Sequence, residues 1–257
     1  MEIAIIIIVA FGASMLTFFS GFGLGTLLTP AFLLFFPLPI AISLTACVHF
    51  LNNVFKFALI GSHVDKKVLL LFGLAAMLGV VPGVYLLSTL DHLPLVFEYE
   101  LMDRSFAISW MGLVIGFLMI LFSFSEFKRL KKTVASNATL VGGGLISGFF
   151  GGLSGYQGAL RTSFLIRMNL TKEAFVATGV SIALLVDITR IPMYYETWMK
   201  ELGREEWLMV LVALIPAFLG AWLGRKWLSK TSISFVRTIV GVMLVLFGIA
   251  LMLGILS

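Results

Sequence analysis

Apolar runs long enough to cross a bilayer recur along the whole chain, at about 3–20, 40–60, 68–90, 105–125, 139–153, 172–195, 207–228 and 233–256. A helix needs about 20 consecutive apolar residues to span the hydrocarbon core. These runs leave little of the 257 residues for anything else. Only 12% of the residues are charged and mean hydropathy is +1.08, where a soluble domain would carry about 25% charge. The expected fold class is an all-α polytopic membrane protein with about eight long helical segments and a lipid bilayer as its solvent. A transmembrane β-barrel would alternate polar and apolar residues over about 10 positions per strand, and no such alternation occurs. The N-terminus, Met1-Glu2, has no basic stretch and no small-residue cleavage site, so the first run is expected to stay in the mature protein.

The same composition excludes several functions. The net charge of +5 reflects basic residues at the ends of the runs, where positive charge sets membrane orientation, so no nucleic-acid partner is expected. Cys47 is the single cysteine; it allows no internal disulfide or cysteine metal site and reads as a small buried hydrophobe. The longest polar connection, about 126–138, is too short to house ATP chemistry, and no Walker sequence is present. His49, His63 and His92 are scattered. No nucleophile–base pair or metal-spaced cluster accompanies them, so no catalytic residue, metal or cofactor is expected.

Against this apolar background stands GFFGGLSGYQGALRTSFLIR, Gly148 to Arg167, with a related phrase, GFGLGTLLTP, from Gly21 to Pro30. Aligning Gly25 with Gly158, an offset of 133, places Ala41 on Ala174 and Thr45 on Thr178, with Gly83 near Gly220 further on. Each half reads as a Gly-rich break followed by three long spans, as in transporters built from internal repeats. The expected division is a first repeat at 1–130, a basic linker at 131–138 and a second repeat at 139–257.

Positive charge discriminates between orientations. If all eight long segments cross once, the two sides carry ten and eight Lys and Arg residues. If each glycine cluster is instead a hairpin returning to its own side, the groups around 56–67, 128–132, 161–172 and 225–237 share one side. That side then has 14 basic residues, against 4 (Arg104, Arg190, Lys200 and Arg204) on the other. Cytoplasmic loops are the Lys- and Arg-rich ones. The hairpin arrangement is therefore expected, with inverted repeats and both termini outside.

Non-helical backbone at membrane depth survives only where protein or a water-filled cavity satisfies it. Helix ends at such a break present N–H groups and a positive dipole end, which suit an anion. Two breaks facing each other near the midplane would form a pocket from Gly23, Gly25 and Thr26 on one side and Gly155, Gln157, Gly158 and Arg161 on the other. The competing reading is close helix packing by small residues. A second polar feature, TACVHFLNNVFK, puts Thr45, His49, Asn52, Asn53 and Lys56 within about 100° on a helix. His49 and Asn52 could line the pathway or bond between helices, while Lys56 reads as snorkelling to the cytoplasmic surface. In the partner span Thr178, Ser181 and Thr189 share a face. Asp187 and Arg190, three apart, read as an ion pair near the outer boundary, with a proton relay through Asp187 as the alternative.

Two copies of a Gly-rich phrase, each followed by a small apolar span, resemble the sulfite exporter TauE/SafE family. The residues concerned are GFGLGTLLTPAFLL with AISLTA, and GGLSGYQGALRTSFLI with AFVATG. The resemblance covers nearly the whole chain. It implies a secondary transporter of sulfite or an organosulfonate, generally an exporter, multi-pass in the bacterial inner membrane. Family members often show a fuller GxGGG run followed by proline. Here the second copy reads SGYQG with Ser163 in the proline position, so Tyr156, Gln157 and Arg161 are where the substrate would be retuned.

The expected function is thus alternating-access transport of a small sulfur-containing anion, with proton or other ion coupling left open. Transport of another small anion, uptake, a passive anion channel and a membrane assembly factor are the alternatives. The basic split predicts that, in a Cys47→Ser background, a single cysteine at position 257 is labelled from the periplasmic side; cytoplasmic labelling would sink the hairpin arrangement.

Overall fold

The structure, a computed structural model, describes residues 2–20, 24–127, 136–226 and 233–256. The basic group 128–132, most of the 131–138 linker and Lys230 lie outside them. The first half contains α1 (Glu2–Ser20), α2 (Leu24–Leu33), α3 (Leu38–Ile60), α4 (Lys66–Val68), a π-helical turn (Leu69–Gly73) and α5 (Leu74–Asp91). A hairpin of β1 (Phe97–Leu101) and β2 (Arg104–Ile108) leads into α6 (Trp110–Phe127). The second half contains α7 (Asn137–Ser154), α8 (Gln157–Leu165), α9 (Lys172–Tyr194) with a π-helical turn to Met199, α10 (Arg204–Lys226) and α11 (Ile233–Met252). Among the described residues, four segments are each long and apolar enough to cross a membrane: Leu38–His63, Lys66–Asp91, Lys172–Met199 and Arg204–Lys226. The fold is all-α and polytopic, as the apolar runs require.

Local chemistry explains where the helices start. Ser136 accepts the Thr139 N–H at 3.2 Å to open α7, and Thr171 accepts the Ala174 N–H at 3.2 Å to open α9. Asp65 accepts the Val68 N–H at 2.8 Å ahead of α5. Each takes one of the N–H groups that a helix start leaves without an internal partner.

One apolar run departs from expectation. The span expected over 105–125 begins as a helix only at Trp110, because Arg104–Ile108 pairs antiparallel with Phe97–Leu101. Met102 and Asp103 turn the hairpin with φ of 52° and 60°, the left-handed pair that matches the strand twist. Tyr99 stacks on Phe106 with centroids 5.2 Å apart, and its hydroxyl donates to the Leu253 carbonyl at 2.7 Å. A short apolar run cannot be assigned to strand or helix by periodicity alone.

Glycines set the closest helix packing. Gly79 and Gly83 of α5 lie against the Leu145 and Phe149 carbonyls of α7. Gly144, Gly148 and Gly152 of α7 lie against the Phe72, Ala76 and Val80 carbonyls in return. Both sets climb in the same order, so α5 and α7 run parallel, backbone against backbone. The contact recurs elsewhere: Gly83 faces the carbonyl of Phe149 and the nitrogen of Leu153, while Gly220 of α10 faces the carbonyl of Phe11 and the nitrogen of Met15 on α1. Two further pairs run antiparallel. In α3 and α9, His49 meets Asp187 while Ile60 clusters with Val176, Ala177 and Val180. In α6 and α11, Gly112 faces Leu251 and Gly116 faces Gly248.

At the end of α7, Gly155 takes a φ of 77°, a conformation that favours glycine, and the chain doubles back. The Cβ position of Gly151 lies 3.1 Å from the Gln157 Cβ, and that of Gly143 lies against the Phe164 ring. So α8 descends antiparallel along α7.

Gly148→Val would force α5 and α7 apart, because its Cβ position already overlaps the Ala76 carbonyl. It is expected to lower the melting temperature of the detergent-solubilised protein by the equivalent of about 1–3 kcal/mol, the usual range for overpacking. Gly142→Ala, on the same helix with nothing within 4 Å of its Cβ position, should hold or raise it.

Candidate functional site at the glycine junction

The two glycine phrases meet. The Cβ position of Gly25, in the first turn of α2, lies 3.7 Å from the Gly155 carbonyl oxygen, 3.8 Å from His49 Cδ2 and 3.9 Å from Thr45 Cγ2. Gly25, Thr45, His49 and Gly155 therefore converge from α2, α3 and the α7–α8 turn. Thr26 and Gly158 are buried in the same short helices. Gly23 lies outside the described residues.

Thr45 Oγ1 at this junction is buried and has no hydrogen-bond partner among the described residues. The same holds just past Gly155 for both polar atoms of the Gln157 amide, beside Gly151, and for the hydroxyl of Tyr156, whose ring lies by Phe122 of α6. Buried polar atoms are nearly always paired, and leaving one unpaired costs about 1–3 kcal/mol. Two hydroxyls and an amide here remain to be matched by something polar. The Gln157 carbonyl, by contrast, accepts from Ser147 at 3.2 Å. Arg161 follows Gln157 by one turn of α8, 4% exposed, with Nε 3.6 Å from the Cβ position of Gly179 on α9.

The other expected site residues point elsewhere. The Thr178 hydroxyl accepts the Asp65 N–H at 2.9 Å, tying α9 to the start of α4. In the amide orientation that satisfies its neighbours, Asn52 donates to the Ala217 carbonyl of α10 at 3.2 Å and accepts from Lys56 Nζ at 3.2 Å. It also meets Ser14 of α1. The polar stripe on α3 thus splits: Thr45 and His49 face the junction, while Asn52 and Lys56 face α1 and α10. Lys56 does not snorkel outward; it is 4% exposed, covered by the helices that meet Asn52.

A charged chain lies behind the junction. His49 Nδ1 is 2.7 Å from Asp187 Oδ2, and Asp187 Oδ1 accepts from Arg190 Nε at 2.9 Å and Nη2 at 2.8 Å. Arg190 Nη1 donates to the Gly151 carbonyl at 3.0 Å and the Tyr194 hydroxyl donates to the Gly152 carbonyl at 2.6 Å. The Asp187–Arg190 pair forms as its spacing implies, but deep inside, with Asp187 0% and Arg190 1% exposed, and His49 joins it. That third member was missed by sequence reasoning. An aspartate and a histidine on apolar spans were its visible signal, but their contact exists only once α3 lies along α9.

The family model described as sulfite exporter TauE/SafE matches residues 6–251. The chain belongs to the TauE/SafE family. No curated protein and no solved structure matches it. TauE/SafE membership makes the chain a multi-pass membrane permease for sulfur compounds and sets it among transporters.

In this TauE/SafE protein, Asp187→Asn would leave Arg190 as a buried charge without its carboxylate. The expected cost is about 3–5 kcal/mol of stability, the range for breaking a buried pair from one side. Asp187→Asn combined with Arg190→Gln should recover part of that loss, read as ligand-free melting in detergent.

Proposed function

We propose that the protein is a secondary transporter that exports a small sulfur-containing anion, sulfite or an organosulfonate, by alternating access, and that the anion sits at the junction of Gly25 and Gly155. The observation that carries this reading is the group of buried hydroxyl and amide atoms around Gly155 with nothing to bond among the described residues. Sulfite, a pyramidal anion, and a sulfonate each present three acceptor oxygens, which suit hydroxyl and amide N–H donors. The first turn of α8 starts at Gln157, so the positive end of its dipole lies at the same point, and Arg161 adds a full charge one turn on. Sulfur and the outward direction come from the family description.

Alternating access needs two comparable halves, and the packing supports inverted repeats divided as 1–130, 131–138 and 139–257. The matched contacts of Gly83 and Gly220 pair α5 with α7 in the way that α10 pairs with α1. The α3–α9 and α6–α11 pairs each join equivalent helices running in opposite directions, as an axis in the membrane plane requires.

In proteoliposomes, flux of sulfite, thiosulfate or sulfoacetate should saturate and show counterflow, which a passive channel would not. Sulfate and chloride complete the panel. Isothermal titration of purified protein tests the site: Arg161→Gln should weaken binding by about 2–4 kcal/mol. Arg161→Lys should weaken it less, because lysine keeps the charge and loses the bidentate fork. Unchanged affinity in folded Arg161→Gln would remove the arginine from the anion site.

A further inference from the structure

His49 touches the glycine junction and the buried ion pair at once. Its Cδ2 faces Gly25, while its Nδ1 lies 2.7 Å from Asp187 Oδ2. Its side chain is 14% exposed where that of Asp187 is 0%, so the ring is the accessible end of the charged chain. Asn53, one turn along α3, places Nδ2 3.1 Å from Nδ1 and 3.3 Å from Nε2 of the ring.

The charges constrain the ring. Arg190 already balances Asp187. A neutral His49 that donates Nδ1–H to Asp187 keeps Nε2 as its acceptor nitrogen. A proton added at Nε2 makes the group of His49, Asp187 and Arg190 net positive, beside Gly25 and Gly155. The other charged groups acting on the ring are Arg190 and, from α8, Arg161, both cations; Lys56, two turns along α3, turns to Asn52. The thiol of Cys47 shares α3. With the junction empty, these cations oppose a proton on His49. With an anion in the junction, the proton becomes part of that anion's counter-charge.

We propose that His49, oriented by Asp187, is a proton-binding site linked to the anion at the glycine junction, so that one proton is bound with each anion; this rests on the transporter reading above. Linkage is reciprocal: whatever factor the anion adds to proton affinity, the proton adds to anion affinity. A divalent anion accompanied by one proton carries a single net charge, and an inside-negative potential still drives it outward.

The probes are thiosulfate and sulfoacetate, whose own charges stay fixed across the ordinary histidine range, about pH 5.5–7.5. Titrated into purified wild-type protein, they should bind more tightly as pH falls, by as much as about tenfold per pH unit, the limit for one linked proton. Repeating the titration in buffers of different ionisation enthalpy should show uptake approaching one proton per anion. His49→Gln, whose amide can still bond Asp187 but cannot titrate, should bind with an affinity that no longer follows pH and without proton uptake. His49→Asn is the second variant if the first does not fold. PH-independent wild-type binding without proton uptake overturns the proposal and leaves the transporter reading standing, as does a folded variant that keeps both effects. If the wild type binds neither probe nor sulfite, the transporter reading itself falls and the proton site falls with it.

Discussion

The end of α7 is the constraint on which the centre of this protein depends. A helix terminus leaves its last carbonyls without internal partners, and lipid offers no water to take them. The Gly155 N–H returns to the Gly151 carbonyl at 3.1 Å, Arg190 reaches the same carbonyl, and Tyr194 takes that of Gly152. A buried guanidinium brings its own demand for a counter-charge, which Asp187 meets from one turn earlier on α9. Asp187 has a second oxygen, and His49 of α3 occupies it. One helix break thus commits a line of charge through α9 and α3 that ends against Gly25, at the other break.

The two halves answer the same demand with different chemistry. On the proposed repeat, α1 stands for α7 and α3 for α9. Where α9 offers Asp187, Arg190 and Tyr194 to the end of α7, α3 offers Asn52 to Ser14 of α1 and to the Ala217 carbonyl, with Lys56 bonded to Asn52. The counterpart of Arg161 in the aligned phrases is Leu28, fully buried in α2. An anion at the junction would find charge on the second half and mainly hydroxyl and imidazole on the first. On the proposed repeat the Gly83 and Gly220 contacts correspond, while the polar groups do not.

Much of this was legible in the sequence because a bilayer imposes a nearly one-dimensional rule: apolar runs of spanning length stand out whatever their neighbours. The glycine phrases stood out for the converse reason, and the Asp187–Arg190 pair could be read from helical spacing alone. What spacing could not supply is which helix covers which face. Thr45, His49, Asn52 and Lys56 share one stripe on α3, yet α2 and the α7–α8 turn meet one part of it and α1 and α10 the other. Thr178 aligned with Thr45, but its hydroxyl serves Asp65 at the far end of α9. His49 and Asp187 are separated by 138 positions, and only the antiparallel course of α3 and α9 brings them together. The β1–β2 hairpin escaped for a local reason, since five apolar-rich residues ahead of a long apolar run look like more of that run.

The same packing limits where the molecule could move. In the α5–α7 pair, carbonyls of one helix lie against glycines of the other over three turns, and α1 and α10 share that contact at Gly220. Sliding either pair would drive carbonyls into neighbouring backbone, and close-packed interiors resist such deformation. These pairs therefore behave as rigid units, each joining a helix of the first half to one of the second, so the proposed change of access would be taken up between the units. The α3–α9 seam lies between them, with α3 against α10 and α9 against α5. Below, it is held by the Ile60 cluster; above, the His49–Asp187 contact spans it, on the helix that also carries Thr45. A hydrogen bond to a titratable ring changes its strength when the ring gains a proton or when an anion arrives beside it. The chemistry that would sense the cargo thus lies on the seam between the two rigid pairs.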